Sequence, residues 1–223
     1  MVEFKNKKIL VYGFGRSGKS CLNYLKKDNT VKIYDDKLKK LPKKFKISLF
    51  KLKKTKFDFI VLSPGINKDV CNLKKFLLIN KSKIISDLDI FYFKNIQNLK
   101  ICITGTNGKS TTSKIIHKIL KNAGLDARLV GNIGQPILNE KKITKKTVFV
   151  VEISSYQIEY SKYFKSDIAA ILNIFPDHLD RHKTFSSYRK IKFKLLKNLH
   201  PGGTGLIEKN IFSNKDMKQK RTK

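Results

Sequence analysis

Thr104-Gly105-Thr106-Asn107-Gly108-Lys109-Ser110 is a run of small and cationic residues between an apolar segment and a helical pattern. Residues of these types, in this order, suit the holding of a nucleoside triphosphate. Backbone N–H groups of a tight loop cradle phosphate oxygens, an ammonium neutralises the β and γ oxygens, and a hydroxyl ligates Mg²⁺. The run departs from the strict G-x-x-x-x-G-K-S pattern, because Ile103 stands where the first glycine would be. The loop is shorter but keeps its chemistry, so Gly105, Thr106, Asn107, Gly108, Lys109, Ser110 and Thr111 are the candidate triphosphate-binding residues.

A second glycine run lies earlier. Gly13-Phe14-Gly15-Arg16-Ser17-Gly18 follows an apolar stretch and opens a helical pattern, and Asp35 follows Gly15 by twenty residues at the end of the next strand-like run. This is the dinucleotide-binding fingerprint in its required context: glycines admit a diphosphate to the backbone and to a helix N-terminus, and the carboxylate accepts from a sugar hydroxyl. NAD and a UDP-sugar both present a diphosphate beside a ribose, so the loop alone does not separate them; a ligand-free tight turn is the plain alternative.

Two further polar groups close apolar runs. Glu152 ends Thr147–Ile153 and is placed to bind a metal near Ser110, since ligands in parallel sheets collect at the carboxyl ends of strands. An incidental acid near a helix start is the bland reading. His178, between Asp177 and Asp180, is a candidate ligand for a metal or a phosphate. Lys192 is one lysine among many, and nothing in its own surroundings singles it out.

The elements that must position these groups alternate. Lys8–Tyr12, Val31–Tyr34, Phe57–Leu62 and Ile84–Ser86 read as strands with helical patterns between them, and Phe91–Leu99 reads as a transition. The alternation then restarts: strands over Lys100–Thr104, Ala127–Val130, Thr147–Ile153 and Ile168–Ile174, with helices over Ser110–Ala123 and Phe185–Leu199. Apolar strands alternating with helices predict an α/β fold with parallel sheets covered on both faces. Two restarts predict two such domains, 1–95 and 96–208. His200–Ile207 is a candidate further strand, and 209–223 is a polar, lysine-rich tail without periodicity, expected to be disordered.

The chain has 223 residues with 49 Lys+Arg against 17 Asp+Glu, a formal charge of +32. The lysines are dispersed and not interleaved with aromatics, which favours solvated faces over a specific nucleic-acid site, while the field still attracts anionic substrates. Cys21, Cys71 and Cys102 lack metal-ligand spacing, and no apolar run approaches the ~18 residues of a membrane helix. A cytoplasmic protein with no membrane span, and a monomer, is the expectation.

At Ile103–Thr112 (ITGTNGKSTT), Gly131–Pro136 (GNIGQP), Val151–Glu159 (VEISSYQIE) and Asn173–His182 (NIFPDHLDRH) the chain resembles the Mur ligase family. The GFGRSG loop, Asp35-Asp36 and Ser63–Ile66 (SPGI) resemble the branch that adds D-glutamate to UDP-N-acetylmuramoyl-L-alanine in peptidoglycan precursor synthesis. The resemblance implies a Rossmann-like domain binding the UDP substrate through Gly15, Arg16, Ser17, Asp35, Asp36 and Lys37, with Gly65 and Asn132 touching the same substrate. It implies an incomplete P-loop-type central domain in which Lys109 binds ATP phosphates, Ser110 and Glu152 hold one Mg²⁺, and His178 holds a second. Lys192, four residues after Tyr188, would be carbamylated and share that second ion; Lys109, His178 and Lys192 would be the catalytic group. The implied reaction passes through an acyl phosphate, with ATP and D-glutamate as co-substrates.

Members of the family are about twice this length. A truncated, frame-shifted or fragmentary form with an uncovered sheet edge, inactive as a ligase by itself, is therefore the expectation. A non-catalytic UDP-sugar or nucleotide-binding module and an NAD-linked Rossmann protein are the alternatives; a nucleic-acid binder acting through charge is a third.

Overall fold

The structure is a computed structural model in which residues 4–38 and 40–211 are described. They form two compact units. The first comprises the described residues up to Ile96 together with Gln135–Ile143 and Glu159–Phe164; the second comprises Gln97–Gly134, Thr144–Ile158 and the described residues from Lys165 on.

In the first unit, β1 (Lys8–Tyr12) and β3 (Phe59–Leu62) are the central strands, flanked by β2 (Thr30–Tyr34) and β4 (Ile84–Ile85) in the order β2-β1-β3-β4. All pairings are parallel, with Leu10 opposite Lys32 on one side and Ile60 on the other. Ile9, Leu10, Val11 and Tyr12 are all solvent-free, as a strand covered on both faces requires. The crossovers carry α1 (Arg16–Leu25), α2 (Leu49–Lys54) and α3 (Lys74–Ile79), and α4 (Asp87–Lys94) follows the last strand.

That last helix differs from the expected transition over Phe91–Leu99. Ser86 and Asp89 form a capping box that starts a helix ahead of the aromatic run, each side chain meeting the other's backbone N–H. Phe91 and Tyr92 are then buried as helix residues.

The second unit holds a five-stranded parallel sheet in the order β6-β7-β5-β8-β9. Its strands are β5 (Lys100–Thr104), β6 (Ala127–Gly131), β7 (Val148–Glu152), β8 (Ser166–Ile171) and β9 (Leu199–Ile207). Helix α5 (Lys109–Asn122) follows β5, α6 (Ser155–Tyr160) follows β7, and α7 (Leu179–His182) and α8 (Phe185–Lys197) join β8 to β9. The candidate strand at His200–Ile207 is present and lies at one edge, pairing with β8 through a register shift between Ser166 and Ile168. Of the expected tail, Lys209–Ile211 forms a 3-10 turn, and 212–223 lies outside the described residues. Among the described residues, no helix is long and apolar enough to cross a membrane.

Candidate functional site

The strand-to-helix turn after β5 is the centre of the second unit's polar residues. Gly108 takes φ +78° as the N-cap of α5, a left-handed conformation that a residue with a Cβ adopts only at a cost. No side chain caps α5, and none caps α1 after Gly15, whereas Ser48, Ser86 and Thr184 cap α2, α4 and α8. Neither glycine-led helix thus has a side-chain cap, and a helix N-terminus of this kind electrostatically favours an anion.

Asn173 holds the phosphate loop in shape. Its Oδ1 accepts from the N–H of Thr106 at 3.0 Å and of Asn107 at 2.8 Å, and its amide donates to Asn107 O at 3.1 Å. Thr106 Oγ1 accepts from Phe175 N at 3.0 Å and lies 3.2 Å from the Tyr188 hydroxyl. The Lys109 ammonium curls back to Thr106 O at 2.7 Å. Asn173 did not stand out in the sequence as a site residue; the only signal was a side-chain amide directly after an apolar strand, the place where a parallel sheet collects polar contacts.

Glu152 is fully buried at the carboxyl end of β7. Ser110 Oγ donates to its Oε2 at 2.8 Å, and Asn132 Nδ2 donates to its Oε1 at 2.8 Å. The structure therefore brings together Ser110 and Glu152, the expected metal pair, and adds Asn132 to them. The Ser110 hydroxyl and the Glu152 carboxylate offer oxygen atoms, the hard ligands that Mg²⁺ prefers, while the Asn132 amide N–H orients the carboxylate.

Lys192 is 1 % exposed. Its ammonium donates to Gly105 O at 2.8 Å, lies 3.4 Å from Thr104 Oγ1, and sits 4.7 Å from the Tyr188 ring centre. Burial, followed by the nearby Lys109 charge, lowers its pKa to about 7; Asp177 pulls weakly the other way. The amine is consequently available as a neutral nucleophile near physiological pH, the form that takes up CO₂.

His178 takes φ +52°, an uncommon conformation for a residue with a side chain, and its imidazole lies against Tyr156 at 4.9 Å and Tyr188 at 6.3 Å. Its Nε2 is 3.4 Å from Asp177 Oδ2. His178 and Lys192 thus flank one tyrosine ring. Among the described residues, no group of three or more His, Cys, Asp or Glu is placed to hold a metal ion, so any second-ion site would rest on groups beyond such a cluster.

In the first unit, Gly13 takes φ +92°, and an added Cβ there would lie 2.7 Å from Ser63 Cβ. Asp35 organises the glycine loop: Oδ2 accepts from Phe14 N at 2.7 Å, and Oδ1 accepts from Lys37 N and Leu38 N at 2.9 Å each. Partial burial pushes its carboxyl up, but the three N–H donors outweigh this and its pKa is lowered. Asp36 Oδ2 accepts from the Tyr12 hydroxyl at 2.6 Å and from Asn72 N at 3.3 Å, while its Oδ1 is buried without a hydrogen-bond partner. Arg16 and Ser17 open α1, and the Ser17 hydroxyl bonds Asp87, whose pKa burial raises. Lys37 follows the aspartate pair and is exposed; Gly65 lies in the turn after β3. Asn132 belongs to the second unit, on Glu152.

A parallel α/β protein with a lysine-bearing glycine loop between strand and helix, and a buried acid beside its serine, is the class that fold and site define. The sequence matches the Mur ligase middle domain over residues 103–223 and the Mur ligase MurD-like N-terminal domain over residues 7–84. The chain belongs to the Mur ligase family.

It is similar to the UDP-N-acetylmuramoylalanine--D-glutamate ligase of Rickettsia bellii (strain RML369-C), 38% identical over 216 residues that cover 93% of this chain and 47% of that one. The enzyme of that name from Rickettsia conorii (strain ATCC VR-613 / Malish 7) is 41% identical over 198 residues, covering 84% of this chain and 38% of that one. The chain spans under half the length of these curated relatives. Among solved structures, the UDP-N-acetylmuramate:L-alanyl-gamma-D-glutamyl-meso-diaminopimelate ligase of Neisseria meningitides shares the fold with a TM-score of 0.57 and 16% identity, over 96% of this chain and 75% of that one. A murein peptide ligase from Psychrobacter arcticus 273-4 does so with a TM-score of 0.52 and 15% identity, over 96% and 51%.

Proposed function

We propose that this chain supplies the UDP-substrate site and the ATP-phosphate site of an ATP-dependent amide ligase that joins D-glutamate to UDP-N-acetylmuramoyl-L-alanine in the cytoplasm, and that it is monomeric. The observation that carries this is the phosphate loop with Ser110 bonded to the buried Glu152 and Lys192 bonded to Gly105. The names of the relatives supply the substrates.

In this reading the substrate carboxylate attacks the γ-phosphorus of ATP, releasing ADP and leaving an acyl phosphate. The amine of D-glutamate then attacks the acyl carbon, the carbon–oxygen bond to phosphate breaks, and the amine loses a proton as the amide forms. Gly105, Thr106, Asn107, Gly108 and Thr111 present the loop and the first helical turn to the phosphates. Lys109 exchanges its bond to Thr106 O for phosphate oxygens. Ser110 and Glu152 would hold Mg²⁺, and His178 with a carbamylated Lys192 would hold a second ion; bound there, the metal supplies charge compensation for carboxylate and triphosphate. Lys192, while neutral, removes one positive charge from beneath the loop, and Tyr188 screens it from water.

For the first loop, Gly15, Arg16, Ser17, Asp35, Asp36, Lys37 and Gly65 would form the UDP-substrate site. Asp35 already accepts three backbone N–H groups, so it shapes the loop more than it meets the two hydroxyls of an NAD ribose. Asp36 Oδ1 lacks a donor and suits a ligand N–H or O–H. Titration with NADH, followed by its fluorescence, and with UDP-N-acetylmuramoyl-L-alanine, followed by calorimetry, tests this. Binding of the UDP compound without NADH is expected; tight NADH binding without the UDP compound overturns the reading.

A further inference from the structure

The turn after β3 seats the first glycine loop. Ser63 N donates to Tyr12 O at 2.9 Å, and the buried Ser63 hydroxyl donates to Gly13 O at 2.8 Å. A Cβ on Gly13 would lie 2.9 Å from Ile66 Cγ1 as well as against Ser63, so these two residues form the wall along which Gly13 runs. Where Ser63 and Ile66 sit therefore decides where the diphosphate-binding backbone sits.

The far side of that turn is held by residues more than ninety positions later in the chain and part of the same unit. The Tyr160 hydroxyl donates to Ile66 O at 2.6 Å and accepts from Lys68 N at 3.2 Å. Lys68 Nζ pairs with Glu159 Oε1 at 3.0 Å. The Lys68 side chain is 43% exposed, so this ion pair contributes little by itself and the two Tyr160 hydrogen bonds carry more. Tyr160 is 6% exposed and packs in one cluster with Tyr12, Leu62 and the partly buried Ile66.

Tyr160 is itself firmly mounted. Asp89, fully buried on α4, accepts through Oδ1 from Lys162 N at 2.9 Å, Tyr163 N at 2.7 Å, Phe164 N at 2.9 Å and the Ser161 hydroxyl at 3.3 Å. A carboxylate caged by backbone N–H groups fixes the segment that carries it and its neighbour. A continuous chain of short contacts therefore runs from Asp89 through 161–164 to Tyr160, from Tyr160 to Ile66 and Lys68, and from Ser63 and Ile66 to Gly13.

We propose that Tyr160 is a positioning residue for the first glycine loop: by fixing Ile66 and Lys68 it holds the Ser63–Ile66 turn, and through it Gly13, in the conformation that receives the diphosphate of the UDP substrate. The proposal rests on the reading of that loop as the UDP-substrate site. Its effect passes through the turn.

Tyr160→Phe keeps the ring and removes the hydroxyl, leaving Ile66 O and Lys68 N without it. Ser161→Ala removes the hydroxyl whose 3.3 Å bond to Asp89 is the longest of that cage, leaves the three backbone donors in place, and serves as the control for a merely structural loss. Calorimetric titration of the full chain with UDP-N-acetylmuramoyl-L-alanine and, separately, with Mg²⁺ and a non-hydrolysable ATP analogue reads both loops, and thermal melting reads stability. Tyr160→Phe should weaken the UDP compound about 3- to 10-fold and leave the ATP analogue unchanged, while Ser161→Ala leaves both unchanged. Unaltered UDP affinity in Tyr160→Phe, or an equal loss in Ser161→Ala, overturns the proposal. Failure of the unsubstituted chain to bind the UDP compound overturns the underlying reading of the loop, and the proposal with it.

Discussion

The Lys192 ammonium lies 2.8 Å from the carbonyl of Gly105, so a buried amine on α8 is tied to the opening residue of the phosphate loop. In the folded chain its pKa is lowered to about 7 from an ordinary value of 10.5, chiefly by burial and next by Lys109. The sign follows from proton counts. Below about pH 7 both folded and unfolded chains hold the proton and the full cost of the buried cation is present. Between there and the ordinary value the unfolded chain holds more protons, so stability rises with pH, by up to about 1.4 kcal/mol per pH unit. Lys192→Met should abolish this contribution. Urea unfolding of both chains from pH 6.5 to 9.5 checks it: the variant's advantage should shrink as pH rises, and parallel profiles would count against the buried amine.

Asn173→Ala should loosen the phosphate loop without disturbing β8. The side chain meets Thr106 N, Asn107 N and Asn107 O; losing it takes the acceptor from Asn107 N, while Thr106 N keeps its 3.1 Å bond to the backbone oxygen of residue 173. A loss of about 1–3 kcal/mol in ATP-analogue binding is expected. Calorimetry measures it, with circular dichroism showing an unchanged fold.

Glu152→Gln and Glu152→Ala should separate charge from packing. Gln keeps a group for Ser110 and Asn132 to meet but lacks the charge, so it should fold normally and lose the Mg²⁺ dependence of nucleotide affinity. Ala leaves both partners facing a cavity and should also destabilise the chain by about 1–3 kcal/mol. Nucleotide titrations with and without Mg²⁺, together with denaturant unfolding, read the two effects; equal Mg²⁺ dependence in Gln and unsubstituted chains would remove Glu152 from the metal site.

Asp35→Asn should weaken the first loop in a pH-dependent way. The folded carboxyl is held below its ordinary value by three N–H groups, so its contribution is present above that value and is lost as pH falls through the lowered folded one. The stability gap between the two chains should be largest near neutral pH and close in acid, as measured by unfolding from pH 7 to pH 2.5.

The strands and both glycine loops were legible because the apolar runs are short and punctuated by Gly, Pro, Ser or Asp, as at Lys100–Thr104 before the glycine loop and α5. Helix α4 was not, because its start depends on the Ser86–Asp89 capping box while its aromatic run resembles neither period. That Gln135–Ile143 and Glu159–Phe164 pack into the first unit was hidden as well: Ser20 bonding Asn139 and Asp89 caging 162–164 are tertiary contacts without local signature. In the candidate site, the two glycine loops themselves were visible from residue types and spacing. Lys192 emerged only through family resemblance, since its burial, shared among the described lysines with Lys100, and its bond to Gly105 O have no signature in the sequence.

In the proposed function, the loop at Thr104–Ser110 holds ATP phosphates through Lys109 while a separate site holds the UDP compound. Calorimetric titration of the unsubstituted chain and Lys109→Ala with a Mg²⁺–ATP analogue, and of both with UDP-N-acetylmuramoyl-L-alanine, tests it most directly. One ATP-analogue site lost in Lys109→Ala, with UDP-compound binding retained, is the expected result. ATP-analogue binding that survives Lys109→Ala unchanged would contradict it.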